Sequence, residues 1–467
     1  MFFFGLFRKK SGSIAKNGWQ MFSFPTEHDA RRTHSEVFKT IFPIHYRNIW
    51  KSIQKPLILK LFRLKSLCLS LWSIFHLKKY RRLPQRNGMI KKIRYYCRCI
   101  LGYRFSNFHF PLFFETTALS VISIPVIHSA NDSYTLKQIS GVLVGILILI
   151  FFSLISYKYI AKSYWILYII NIAILSLVLF AGISVNGARR WFSLGGIGTL
   201  QPSEFGKFFM ILFLAGWISD NKARINKSGF LILTGVLFGL PLLLILKEPD
   251  LSTTVVYVFV FCTMIFAGGL SYKIVIRAAA AIVPTGILLF WYICQPFQTL
   301  LEDYQVQRIM TFLNPSEYMM TTYTQQFNSV MAIGSGMLTG KGLNSNALTS
   351  VKRGNFISEP QTDFIFAVIG EELGFIGSCI IIVLLFAVVI ECLRIAGEAS
   401  DMTGRLIAVG TASVVGFQTF VNIGVATALL PNTGLPLPFI SYGLSSYTSL
   451  MMGVALILNV GLQQNRR

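Results

Sequence analysis

Ten apolar runs divide most of this sequence, and each is about long enough to cross the hydrocarbon core of a lipid bilayer. A helix needs about 20 residues to cross a core about 30 Å thick. The runs lie near residues 111–130, 139–157, 165–184, 204–219, 230–246, 251–270, 274–293, 363–390, 404–427 and 437–460. Backbone inside lipid must satisfy its own hydrogen bonds, so each run is expected to be helical. The sequence therefore predicts an all-α polytopic membrane protein with about ten transmembrane helices.

The composition supports the same fold class. Of the 467 residues, 53% are hydrophobic and only 13% are charged, and the mean hydropathy is +0.58. Soluble domains carry about 25% charged residues. All six histidines precede residue 130, so acid–base chemistry later in the chain must use a carboxylate, lysine, tyrosine or cysteine. The seven cysteines show no metal-ligand spacing.

The positive charge is concentrated at the amino terminus. Residues 1–104 contain 23 Lys or Arg against three acids, whereas the whole chain has a net charge of +24. We interpret 1–104 as a basic cytoplasmic extension and 105–467 as the membrane domain. Within the extension, 57–77 predicts an in-plane amphipathic helix, and Met89 is an alternative start. The charge suits anionic membrane lipids; nucleic acid is not an expected partner, since no zinc or RNP-like pattern accompanies it.

Loop charge predicts the orientation of the spans. The bases in the connections after spans two, four, six and eight are Lys158 and Lys162, Lys222, Arg224 and Lys227, Lys273 and Arg277, and Arg394 and Arg405. By the positive-inside rule, these connections and both termini are cytoplasmic. The large connection between spans seven and eight, about 293–362, is then extracytoplasmic. It predicts a helix over 300–312 that ends before Asn314-Pro315, and an amphipathic segment over 326–343 that dips into the membrane.

Asp363 is the candidate catalytic residue. It lies where the large outer connection meets span eight, and an acid at the rim of a span is a functional candidate. The helix dipole alone also favours a carboxylate at a helix start. Glu371 and Glu372 lie about 12 Å deeper on the same predicted helix and point roughly 80° and 180° away from Asp363. They are therefore expected to pair with a neighbouring helix or the inner interface, not with Asp363.

Two further groups of charges are candidates for substrate binding. Glu204 and Lys207 begin span four and stand at i, i+3, where they can pair. They form either an ion pair that carries two charges into the membrane or the polar wall of a substrate cleft. Arg189 and Arg190 lie in an outer connection, against the charge rule. Guanidinium groups match phosphate oxygens, so these arginines indicate either an anionic ligand or ordinary headgroup contact.

The segment before span ten predicts a rigid rim. Residues 430–443 contain three prolines and two glycines. Proline fixes φ and has no backbone N–H, so this segment favours a broken backbone or a re-entrant turn over a regular helix.

These stretches resemble the SEDS family, the shape, elongation, division and sporulation proteins typified by RodA, FtsW and SpoVE. The matching residues follow the family order from about residue 105 to the end. They are Asn186–Trp191, Gln201–Lys207, Lys247–Leu251, Tyr304-Gln305 with Arg308, Gln326 with Ser329, Ile333–Gly336, Gly340–Leu343, Thr362–Gly374 and Leu430–Gly443. Gln361 stands where the family often has histidine, which suggests that a histidine is not required there.

The resemblance implies a peptidoglycan glycosyltransferase of the bacterial plasma membrane that polymerises lipid II, with a class B penicillin-binding protein as its partner. It places the essential aspartate of the family on Asp363 and its Glu–Lys pair on Glu204 and Lys207. The residues expected to bind substrate are Arg189, Arg190, Glu204, Lys207, Gln326, Lys341 and Ser441.

The expected reaction is displacement of undecaprenyl pyrophosphate from one sugar by the 4-hydroxyl of another, with Asp363 taking the hydroxyl proton. Arg189, Arg190, Lys207 or a divalent cation offsets the charge on the leaving group, and the sequence specifies no other cofactor. Two alternatives are a flippase or transporter of lipid II and a non-catalytic scaffold for a penicillin-binding protein. The motifs serve cell elongation, division and sporulation alike.

Overall fold

The computed structural model describes residues 103, 107–185, 188–193, 195, 199–295, 297–300, 303–319, 323–344 and 357–464. The predictions for the basic extension over 1–104, including the helix over 57–77 and the start at Met89, lie outside these residues except at Tyr103. The chain divides after Asn87, and every described residue belongs to the unit Gly88–Arg467.

Thirteen α-helices occur in the described residues, and ten of them are long. In chain order they are α1 (Phe110–Ala130), α2 (Thr135–Ser153), α3 (Tyr157–Lys162), α4 (Tyr164–Ala181), α5 (Pro202–Asp220), α6 (Ser228–Lys247), α7 (Leu251–Ala267), α8 (Tyr272–Ile293), α9 (Asp303–Leu313), α10 (Thr324–Ser335), α11 (Ile365–Glu398), α12 (Met402–Ala426) and α13 (Leu444–Leu462).

The long helices correspond one to one with the predicted spans. Eight of those in the described part of the chain are long and apolar enough to cross a membrane. The other two are α7, which is apolar but has only 17 residues, and α5, which has 19 residues and carries Glu204, Lys207 and Asp220. Each predicted apolar run overlaps one of these ten helices, so the all-α polytopic membrane fold is confirmed.

Helices α12 and α13 form the centre of the bundle. Helix α12 packs on α5, α7 and α11, and α13 packs on α2, α5 and α12. Every residue from Gly453 to Leu462 in α13 is buried. Helix α8, in contrast, buries no residue against the described part of the chain. The apolar side chains of α8 thus remain on the outside of the bundle.

Three short strands connect α4 to α5, and they were not predicted from the sequence. Strands β1 (Ile183–Val185), β2 (Ala188–Ser193) and β3 (Thr199–Leu200) form an antiparallel sheet in the order β1-β2-β3. Successive side chains on a strand point to opposite faces. Accordingly, Arg189 on β2 is exposed, while its neighbour Arg190 is 31% exposed.

Helix α11 is interrupted at Gly374, where φ is 65° and ψ is −163°. The chain after α10 fills the break, since Lys341 N donates to Glu371 O (3.0 Å) and Phe375 N donates to Met337 O (2.9 Å). These bonds satisfy backbone groups that a broken helix would otherwise leave unpaired in a membrane. The predicted span over 363–390 is therefore two helical pieces joined at a glycine.

Two boundaries differ from the prediction. The tenth span was expected over 437–460, but α13 begins at Leu444. Pro436 and Pro438 supply no backbone N–H, and Phe439 has a φ of 65°, so this stretch forms turns. In the connection before α11, α9 confirms the helix predicted over 300–312. The segment predicted over 326–343 is helical only as far as Ser335.

Candidate functional site

Asp363 lies in a turn immediately before α11 and not within that helix, so the expectation that it opens the eighth span is wrong by two residues. Phe364 is the N-cap residue of α11, and no side chain caps the helix. The carbonyl oxygen of Asp363 accepts a hydrogen bond from Asn422 Nδ2 of α12 (2.8 Å), which also donates to Leu435 O (2.7 Å). The turn is therefore held by α12, and its carboxylate is not occupied in capping.

The segment 430–443, here called the proline loop, packs against the Asp363 turn. Ser441 Oγ donates to Thr362 O (2.6 Å) and accepts from Leu437 N (2.8 Å). Gly434 has a φ of 73°, and a β-carbon added there would lie 3.2 Å from Asp363 Oδ2. The proline loop thus lies directly beside the carboxylate. This position agrees with the rigid rim that its prolines predicted.

Helix α10 anchors the start of the proline loop. Gln326 is 1% exposed, and its Nε2 donates to Val425 O (3.1 Å) and Leu430 O (2.8 Å). Ser329 Oγ donates to Ala426 O (2.7 Å). Gln326 and Ser441 therefore both act on the backbone around Asp363.

Helices α7 and α9 hold the middle of the proline loop. Arg308 Nη1 of α9 donates to Thr433 O (3.4 Å), and Ser252 Oγ of α7 donates to the same carbonyl. Thr433 directly precedes Gly434. An exposed cation on α9 is thereby brought to the carboxylate, although α9 is distant from it in sequence.

Opposing influences act on the acidity of Asp363. The net pKa of its carboxyl is raised from 3.8 to about 6, chiefly because burial disfavours the charged form. The Arg308 guanidinium lowers this pKa, as do Arg190 and a hydrogen bond from Thr362, whereas the charge of Glu359 raises it. The carboxyl is therefore ionised near neutral pH and more basic than an ordinary aspartate, which suits a general base.

The two arginines of β2 have different surroundings. Arg190 Nη1 lies 3.7 Å from Asp250 Oδ2. Asp250 also accepts a hydrogen bond from Gln201 Nε2 (2.9 Å) and caps α7 through Thr253 N (3.0 Å). Arg190 is the arginine of this strand that acts electrostatically on Asp363. Arg189 is exposed on the opposite face of the strand.

Glu204 and Lys207 form a buried ion pair, as their spacing predicted. Lys207 Nζ lies 2.7 Å from Glu204 Oε1, and the side chains are only 4% and 5% exposed. Two small cavities of about 10 and 20 Å³ adjoin Lys207. Each of these two cavities has room for about one water molecule, so neither of them accommodates a sugar.

Lys341 and the acids of α11 are also paired. Lys341 Nζ lies 2.7 Å from Glu371 Oε1, and Glu372 accepts a hydrogen bond from Ser129 Oγ of α1. The expectation that Glu371 and Glu372 pair elsewhere than with Asp363 is confirmed. The partner of Glu371, however, lies in the segment after α10 and not in a neighbouring helix.

Of the predicted residues, the structure brings only Arg190 within electrostatic reach of the Asp363 carboxylate, together with Arg308 and Glu359. The sequence analysis gave Glu359 no role, although it stands four residues before Asp363. Within the described ranges, no group of three or more His, Cys, Asp or Glu side chains is arranged to hold a metal ion.

Comparison with known proteins agrees with this architecture. A family model described as a cell cycle protein of the FtsW, RodA and SpoVE type matches residues 98–466. Stage V sporulation protein E of Bacillus subtilis (strain 168) is 34% identical over 362 residues, which cover 74% of this chain and 94% of that protein. Peptidoglycan glycosyltransferase MrdB of Escherichia coli (strain K12) is 33% identical over 348 residues, covering 73% and 90%.

Two solved structures share the fold. One chain comes from a study of the structural coordination of polymerization and crosslinking by a peptidoglycan synthase complex; it is 26% identical, with a TM-score of 0.63, and the match covers 79% of this chain and all of that one. Rod shape determining protein RodA of Thermus thermophilus is 24% identical, with a TM-score of 0.56 and coverages of 79% and 99%. The protein therefore belongs to the FtsW/RodA/SpoVE family of multi-pass membrane proteins.

Proposed function

We propose that this protein is a peptidoglycan glycosyltransferase that polymerises lipid II, with Asp363 as the general base. A relative of 33% identity is named peptidoglycan glycosyltransferase MrdB, and one of 37% identity is named probable peptidoglycan glycosyltransferase FtsW. The state of the Asp363 carboxyl is what supports its role as the base. Its pKa is about 6, two arginines act on it, and it makes no helix cap.

In the proposed step, the 4-hydroxyl of an acceptor sugar attacks the anomeric carbon of a donor sugar. The new glycosidic C–O bond forms as the bond to undecaprenyl pyrophosphate breaks, and the bonding electrons leave on the pyrophosphate. The hydroxyl proton passes to Asp363. Because the pyrophosphate gains charge, a cation preorganised beside it lowers the barrier.

Arg190 and Arg308 are the proposed partners of the pyrophosphate, since both act on Asp363 and their guanidinium groups match phosphate oxygens. Arg189, on the exposed face of β2, is a proposed contact for a second phosphate group. The described residues bring no group of three or more His, Cys, Asp or Glu side chains together, so a divalent cation beside Asp363 would also need oxygen ligands from the pyrophosphate. The proposed proton transfer itself uses Asp363 and no metal ion.

The remaining predicted residues are proposed to hold the backbone segments that surround Asp363, without contacting the reacting atoms. Gln326 and Ser441 fix the proline loop against the Asp363 turn. Lys341 fixes the first half of α11 through Glu371. The Glu204–Lys207 pair lies within α5, and its proposed contribution to substrate binding requires the small cavities beside Lys207 to widen.

The proposed location is the bacterial plasma membrane, with both termini cytoplasmic and Asp363 on the outer side. The Lys and Arg residues near 158–162, 222–227, 273–277 and 394–405 lie at the helix ends opposite Asp363, which supports this orientation. Arg189, Arg190, Arg308 and Lys341 are the exceptions, because they lie in the two connections on the Asp363 side. The proposed partner is a class B penicillin-binding protein, because a similar chain was solved in a peptidoglycan synthase complex.

The test is polymerisation of labelled lipid II by the purified protein in vesicles. We expect wild-type protein to form glycan chains and Asp363→Asn to lose at least about a hundredfold in rate, the usual contribution of a general base. Asp363→Asn should keep the wild-type elution profile and unfolding temperature. Full activity of Asp363→Asn would exclude Asp363 as the base, and movement of lipid II across the membrane without polymer would favour the flippase.

A further inference from the structure

Glu248 is a buried carboxyl group that the proposed reaction does not use. It follows the last residue of α6 and is 0% exposed. Neither Oε1 nor Oε2 has a hydrogen-bond partner in the described part of the chain. An ionised carboxylate in such a place is strongly unfavourable, so the group must hold a proton or take the counter-charge of a neighbour.

Among the described residues, one cation acts electrostatically on Glu248, and this cation is shared with other carboxyl groups. Arg190 acts electrostatically on Glu248 and on Asp363, and its Nη1 lies 3.7 Å from Asp250 Oδ2. Its Nε is buried and has no partner among the described residues. A single guanidinium group therefore interacts electrostatically with three carboxyl groups, and its Nε–H donor is available for a further hydrogen bond.

The other charged and titratable groups that the structure describes around Glu248 do not supply a second cation. Asp250, two residues along the chain, adds a negative charge. The Tyr257 hydroxyl of α7 is neutral and interacts electrostatically with both Glu248 and Glu204. The adjacent Lys247 is exposed. The pKa of Glu248 is raised to about 8, chiefly by burial and also by the charge of Asp250, whereas the charge of Arg190 opposes the rise. Glu248 is therefore protonated near neutral pH and ionises in mildly alkaline solution.

We propose that Glu248 is a positioning residue for Arg190. With its proton in place, Glu248 leaves the guanidinium shared between Asp250 and the Asp363 site. When ionised, it draws the guanidinium towards α6, away from the position proposed for the pyrophosphate. This inference rests on the proposed function, because Arg190 has a leaving group to stabilise only if the protein transfers a glycosyl group.

The first test compares pH profiles of lipid II polymerisation. Wild-type activity should fall roughly tenfold between about pH 7 and about pH 9, as the protonated fraction of Glu248 falls. Glu248→Gln, which keeps the shape without the charge, should match wild type near pH 7 and stay level to about pH 9. Glu398→Gln, which changes an exposed carboxylate at the far end of α11, should keep the wild-type alkaline fall.

Three results would overturn the inference: a level wild-type profile, an alkaline fall in Glu248→Gln equal to that of wild type, and loss of activity in Glu248→Gln at both pH values. The last result matters because glutamine imitates the protonated, active form.

The second test does not depend on activity. Infrared difference spectra of wild type against Glu248→Gln should show the carbonyl band of a protonated carboxylic acid near pH 7, and this band should disappear near pH 9. An active wild-type protein without the band overturns the inference alone. An inactive wild-type protein that shows the band overturns the proposed function, and the positioning role with it.

Discussion

At the residue scale, the chemistry depends on how two arginines and burial are balanced at one carboxyl group. Burial alone would keep Asp363 protonated to a higher pH, and the arginines alone would make it a weak base. The resulting pKa of about 6 leaves the group ionised and still able to accept a proton near neutral pH. Arg308 has the larger influence of the two arginines on this value.

Replacement of Arg308 should move the acidic limb of the activity profile. Wild-type polymerisation should rise with pH through about 6 as Asp363 ionises. Arg308→Gln removes a positive charge that stabilises the carboxylate, so the midpoint of the acidic limb should move to a pH roughly 0.5–1 unit higher. Arg308→Lys keeps the charge and should keep the wild-type limb. A limb that stays in place in Arg308→Gln, or moves to lower pH, would show that Arg308 does not act on Asp363.

At the element scale, the site depends on a junction between the segment after α10 and the break in α11. Gly340 has a φ of 79°, and a β-carbon added there would lie 2.1 Å from Glu372 O. Gly342 has a similar φ of 86°, but open space surrounds its added β-carbon. At both positions a residue other than glycine would be strained by the left-handed backbone. Only at position 340 would its β-carbon also clash with a neighbouring segment.

Gly340→Ala should therefore destabilise the protein more than Gly342→Ala. The control should cost about 1 kcal/mol from backbone strain, and Gly340→Ala on the order of 2–4 kcal/mol, because the close approach to α11 must also open. Thermal unfolding in detergent micelles gives the comparison. Equal unfolding temperatures for the two variants would mean that the packing of this junction adds nothing to stability.

The elements themselves were largely predictable, because a span is a local pattern of about 20 apolar residues. The break at Gly374 was not, since a glycine within an apolar run has the same local sequence whether or not another segment fills the gap. The supporting role of Gln326 was missed for a similar reason, because its partner carbonyls lie about 100 residues away. Glu359 and Asp363 were four residues apart in the sequence, yet only the turn before α11 brings their charges together.

At the scale of the whole molecule, the polar groups are sorted between the two ends of the bundle. Asp363, Arg190, Arg308 and the proline loop lie at one end. The Lys and Arg residues near 158–162, 222–227, 273–277 and 394–405, which lie in or beside the ends of the helices, are at the other end. Basic connections remain on the cytoplasmic side during insertion. We therefore propose that the end opposite Asp363 is the cytoplasmic end.

Cysteine labelling tests this orientation. In a variant without native cysteines, Ser316→Cys on the Asp363 end and Lys222→Cys on the opposite end both replace exposed residues. A membrane-impermeant maleimide added to intact spheroplasts should label Ser316→Cys, and label Lys222→Cys only after permeabilisation. The reverse pattern would place Asp363 in the cytoplasm. Polymerisation of an outward-facing precursor would then be impossible for this chain, so the labelling result also decides whether the proposed reaction occurs on the correct side of the membrane.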